Sequence, residues 1–83
     1  MERERLEQII ENTETEYTQG IDNAYMGLAI LAKYSPYVLQ AAEHDIIYSV
    51  DVDKIINTIT EEDAVQLAKH GWHIEDDCFA RFV

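Results

Sequence analysis

TEEDAVQLAKHGWHIEDDCFARFV, residues 60–83, is the stretch on which the fold turns. Thr60 is a side-chain cap, and Glu61-Glu62-Asp63 places acids where the helix dipole favours negative charge. Ala64, Leu67 and Ala68 recur at helical steps and face one way, and Gly71, directly after Lys69-His70, is a helix-stop residue. Trp72-His73-Ile74 and the run from Cys78 to Val83, separated by Glu75-Asp76-Asp77, read as a terminal β-hairpin. A helix followed by a hairpin asks for one more strand, and Ile46-Ile47-Tyr48-Ser49-Val50 supplies it: β-branched and aromatic, bounded by Asp45 and Asp51. Asp53 to Asn57 forms a helical turn between the two. The expected class is α+β, with a strand–helix–hairpin unit making a three-stranded antiparallel sheet.

Upstream the period changes. Leu6, Ile9, Ile10, Thr13 and Tyr17 recur at steps of three and four, and the stripe continues through Ile21, Ala24, Tyr25, Leu28, Leu31 and Ala32. Unbroken, a helix over 3–33 would be a rod of roughly 45 Å, too long for so small a globule. Thr18-Gln19-Gly20 is where it should kink or split into a helical pair, because glycine costs about 1 kcal/mol in a helix interior. Ser35-Pro36 ends that part, with Ser35 capping a short helix through Tyr37, Val38, Ala41 and Ala42 to near His44-Asp45. The chain is one domain over 1–83, mainly helical over 1–44 and strand–helix–hairpin over 45–83.

Composition agrees with one small acidic domain. The 83 residues carry 17 acids against 6 Lys plus Arg, a net charge of −11, with 47% hydrophobic residues, enough to fold. Residues 1–23 hold seven acids against Arg3 and Arg5, and residues 45–63 hold six against Lys54, while 24–44 are neutral. Such acidity excludes binding to nucleic acid or anionic membranes through a basic face, and favours basic partners. A core this thin makes a homodimer an expectation too. Cys78 stands alone, so no disulfide framework exists. Met1–Arg5 carries both charges with no apolar run behind it, and the longest apolar stretch, Ala24 to Ala32, is short for a membrane span. A soluble, cytoplasmic protein is expected.

Chemistry-bearing groups are few. His70, His73, Asp76, Asp77 and Cys78, with His44-Asp45, are all possible metal ligands, but their spacing offers no Cys-x-x-Cys half-site. The structural reading is preferred: His70 complements the helix dipole, Asp76-Asp77 makes a turn and Cys78 packs as a small hydrophobe. Ser35, Ser49 and Cys78 lack a glycine-rich elbow, and Gly20, Gly27 and Gly71 are isolated, so neither a nucleophile nor a phosphate loop is indicated. No catalytic set, metal or cofactor is expected.

The aromatics Tyr17, Tyr25, Tyr34, Tyr37, Tyr48, Trp72, Phe79 and Phe82 should be mostly buried, with Trp72 central in a core with Ile46, Tyr48, Leu67, Cys78 or Phe79, and Phe82. The strongest pattern outside the core is Glu4, Glu7, Glu11 and Glu14, whose steps place them on one helical ridge. Neighbours on such a ridge lie about 5–6 Å apart, the order of successive phosphates on a nucleic-acid strand. Read plainly it is a solvated face. Yet the like charges repel one another, at a cost in stability with no obvious structural return.

Glu43-His44-Asp45-Ile46-Ile47-Tyr48, the Thr60–Asp63 helix start, the Gly71-Trp72 step and the terminal Cys78–Val83 strand resemble small proteins encoded by phages and mobile elements. In size and charge the chain is similar to anti-CRISPR and other anti-defence proteins, a class that implies binding to host nucleic-acid machinery but carries no residue roles across. The expected function is therefore a non-enzymatic inhibitor or regulator, a DNA mimic on the basic nucleic-acid-binding surface of a host protein. The expected contact residues are Glu4, Glu7, Glu11, Glu14, Asp51, Asp53, Glu61, Glu62 and Asp63, with Tyr17 and Tyr25 as apolar anchors. The alternatives are a small-molecule-binding module and a small metal-binding protein.

Overall fold

The computed structural model describes residues 1–16, 21–43 and 45–82. Its elements run α1 (Arg3–Asn12), α2 (Ile21–Leu31), β1 (Ala41–Glu43), β2 (Ile46–Asp51), α3 (Val52–Ile55), α4 (Glu61–Lys69), β3 (His73–Glu75) and β4 (Cys78–Phe82). The α+β class holds, with the sheet one strand larger than expected: four antiparallel strands in the order β1-β2-β4-β3.

Residues 60–82 fold as their local chemistry dictates. The Asp63 amide donates to Thr60 Oγ1 at 3.1 Å, so α4 starts at its side-chain cap. Gly71 takes φ +83°, the left-handed geometry that stops the helix after His70. Asp76 and Asp77 take φ 52° and 62°, the two positive angles of a two-residue hairpin turn, which Asp tolerates better than most side chains. Beyond β2, Val52–Ile55 makes the expected helical turn.

The extra strand replaces the short helix expected before His44. After Pro36 the chain is not helical, and Ser35 Oγ accepts the Tyr37 amide at 3.2 Å in a local turn instead of capping a helix. Ala41, Ala42 and Glu43 pair with Tyr48, Ile47 and Ile46. A single amphipathic turn through Val38 and Ala41 offers little to bury, whereas pairing with β2 satisfies main-chain groups on one side of the segment.

The stripe divides into two helices that pack on α4 instead of closely on each other, and α1 ends earlier than its stripe suggests. Thr13 is already extended, and the Glu16 amide donates to the Lys69 carbonyl at 3.0 Å, so the chain leaves α1 to run beside the end of α4. The expected break at Thr18-Gln19-Gly20, the anchor Tyr17 and the candidate ligand His44 lie outside the described residues. Both α1 and α2 pack on α4.

One core results, built from Leu6, Ile9, Leu31, Val50, Val52, Ile55, Ile59, Ala64, Leu67, Trp72 and Phe79. Strand register puts Ile47, Ile74, Phe79 and Arg81 on the sheet face toward it. The other face carries Ile46, Tyr48, His73, Glu75, Cys78, Ala80 and Phe82. That parity explains a second correction: Phe82 is 57% exposed and stacks on His73 at 5.2 Å, outside the core. Among the described aromatics only Trp72 and Phe79 are buried, because the single core is filled by aliphatic side chains.

Candidate functional site

The charged side chains sort into two populations. Arg3 on α1 reaches Glu7 (3.4 Å), Asp53 (3.4 Å) and Asp77 (2.9 Å), tying its helix to α3 and to the hairpin turn. Arg5 meets Glu61 at 2.6 Å, Lys69 meets Glu16 at 3.7 Å and Lys54 meets Asp51 at 4.0 Å. Lys33, just beyond α2, holds Asp63 at 2.8 Å, and the Tyr34 hydroxyl donates to the same carboxylate. Burial pushes Asp63 up, but the Lys33, Tyr34 and Thr60 hydrogen bonds outweigh it and hold the carboxyl below its usual range. Arg5 holds Glu61 below the usual range in the same way.

Arg81 is the remaining cation, and it is buried. Its Nε donates to the His70 carbonyl at 2.8 Å, covering the end of α4, and burial lowers its pKa. Every Lys and Arg of the chain is thus either ion-paired or buried. Glu2, Glu4, Glu11, Glu14, Glu43, Asp45, Glu62 and Asp76 are exposed and enter none of the ion pairs formed among the described residues. The surface is anionic with no exposed, unpaired Lys or Arg.

This sorting redraws the expected contact set. Glu4, Glu7 and Glu11 lie on α1, while Glu14 lies beyond its end, so the ridge does not run as one helical row. Glu7 is paired with Arg3, leaving Glu4, Glu11 and Glu14 outward and unpaired among the described residues. In the second block, Asp53, Glu61 and Asp63 cross-link helices and Asp51 accepts the Cys78 thiol at 3.1 Å, so Glu62 alone of that set is without a described partner. Tyr25 is 68% exposed on α2 beside Met26, available as an apolar anchor. Glu43, Asp45 and Asp76 join the anionic surface although none was among the expected contacts, Asp45 and Asp76 having stood only as possible metal ligands.

The nucleophile and metal candidates are placed structurally. Cys78 is buried, and desolvation with its hydrogen bond to Asp51 pushes the thiol up to about 11, so it stays protonated at neutral pH. His70 is buried with Nδ1 3.0 Å from Asn23 Oδ1, and burial followed by the Arg81 charge lowers its pKa. His73 stacks on Phe82 and lies 3.5 Å from Glu75, whose carboxylate also accepts the Tyr48 hydroxyl at 3.0 Å. Among the described residues no group of three or more His, Cys, Asp and Glu is placed to hold a metal ion. No helix among them is long and apolar enough to cross a membrane. Comparison with family models, with curated proteins and with solved structures found no match.

Proposed function

We propose that this protein is a non-enzymatic acidic interaction module that occupies the basic, nucleic-acid-binding face of another protein, in the manner of the anti-CRISPR and anti-defence proteins it resembles. The observation that carries the reading is the asymmetry of its charges: each Lys and Arg is ion-paired within the chain or buried, while surplus carboxylates among the described residues are exposed and enter no ion pair. A surface of that kind attracts a basic cleft over a Debye length of about 8–10 Å and competes with phosphate for its Lys and Arg side chains. Glu4, Glu11 and Glu14 supply the charge in this account and Tyr25 the apolar contact.

The test is capture followed by competition. The tagged protein is used to recover its partner from the source cell at low salt, and duplex DNA is then titrated into the purified complex. The reading expects a nucleic-acid-binding partner that DNA and protein occupy in turn. A partner that holds both together, or one without a basic face, would overturn it.

A further inference from the structure

We propose that the open edge of β1, with the extended chain leading into it, takes up a basic, extended segment of the partner protein as a fifth strand. This rests on the reading of the partner as basic and names where on the sheet its chain lies. The sheet order leaves β1 outermost, paired to β2 on one side only, and its three residues Ala41, Ala42 and Glu43 are all exposed. The opposite edge differs: β3 is half-buried and packs beside α1. An uncovered edge presents main-chain donors and acceptors in a row; β1 is short and carries one charge, Glu43, which limits pairing to a strand of opposite charge. Here the sheet's irregularity falls between β2 and β4, and Pro36 stops just short of the segment, leaving residues 37–43 free of proline.

Apolar contact is available on the same segment. Tyr37 is 81% and Leu39 59% exposed, two of the most exposed large hydrophobic side chains among the described residues. They are held out by the chain's own anchors. Ser49 Oγ donates to the Val38 carbonyl, and the Gln40 amide donates to the Tyr48 carbonyl at 3.0 Å, fixing the stretch against β2 while Tyr37 and Leu39 stay in solvent. An extended partner strand can bond the edge and cover these two side chains together.

Charge selects the occupant. Glu43 on the edge and Asp45 beyond it are exposed and unpaired among the described residues. A neighbouring strand lies about 4.8 Å away, so a Lys or Arg opposite Glu43 is in reach as a cross-strand pair. A second copy would set a chain of net charge −11 against its equal, which disfavours self-pairing at this edge.

The experiment uses the full chain, isotopically labelled, with three octapeptides: alternating Arg-Val, the same peptide methylated on every backbone nitrogen, and alternating Glu-Val. Arg-Val should shift and slow the exchange of amides within 37–43, and methylation, which keeps the charge but removes the donors, should weaken binding at least about tenfold. Glu-Val should not bind, and Glu43→Lys should weaken Arg-Val. Equal binding of the methylated peptide would overturn the edge site. So would shifts centred on α1, which would leave the acidic-surface reading standing. Binding of neither Arg-based peptide at low salt also removes the site, while DNA competition at the captured partner still decides the broader reading. Protection of β1 that appears in the free protein as its concentration rises would make the occupant a second copy and overturn the proposal.

Discussion

A Cβ built on Gly27 would lie 1.8 Å from Trp72 Nε1, so the α2 backbone closes over the indole with no room for a methyl group. Trp72 is 2% exposed, and its Nε1–H donates to the Asn23 carbonyl at 3.3 Å, one turn before Gly27. Gly27→Ala should therefore destabilise by about 1–3 kcal/mol through overpacking and shift tryptophan emission to the red. Trp72→Ala should cost about 3–5 kcal/mol, a large part of what a small domain has. Chemical denaturation of the two variants checks both, and an unchanged Gly27→Ala would place α2 away from the indole. At Cys78 the folded thiol ionises near 11 instead of its ordinary 9.0. A raised folded pKa means that the unfolded chain loses its proton first, so stability contributed by the thiol is present below 9 and is lost as pH rises toward 11. A thiol reagent at pH 8 should label the native protein slowly and the denatured protein at once. Fast native labelling would contradict the burial.

Between elements, Asp63 does two jobs at the start of α4: it sits in the first turn, where the dipole favours an acid, and it anchors Lys33 and Tyr34 from the end of α2. Its folded pKa lies below the ordinary 3.8, so this stabilisation is present above about pH 4 and is lost as pH falls through the folded value. Asp63→Asn should lower the melting temperature at pH 7 by a few degrees, roughly 1 kcal/mol, and flatten its acid decline. A melting curve with the parent's pH dependence would assign the clamp no energy. Elements governed by neighbours in sequence were legible beforehand: the Thr60 cap, the Gly71 stop, the two-Asp turn and the β2 run. What was not legible depends on distant partners. Tyr37, Val38, Ala41 and Ala42 have helical spacing, and only the adjacent β2 edge makes the extended form better. The carboxylates at 53, 61 and 63 read as one acidic surface because their cations, Arg3, Arg5 and Lys33, lie far away in the chain. Gly27 read as isolated for the same reason.

For the molecule as a whole, 17 acids against 6 Lys plus Arg leave a net charge of −11 on a chain whose cations are already engaged. Self-repulsion then exceeds the attraction of exposed pairs, each worth about 0–1 kcal/mol at best. Raising sodium chloride from about 0.05 to about 0.5 M, which shortens the Debye length several-fold, should raise the melting temperature. A fall would mean that the internal ion pairs dominate. The same surplus is the basis of the proposed function, and the rate of association with the captured partner tests it most directly. It is measured from low to physiological salt for the parent and for a variant carrying Glu4→Gln, Glu11→Gln and Glu14→Gln. The parent's rate should fall steeply with salt, and the variant, with its fold intact, should associate at least about tenfold more slowly at low salt and depend less on ionic strength. Equal rates for the two proteins at low salt would contradict the account and leave these carboxylates a solvated face.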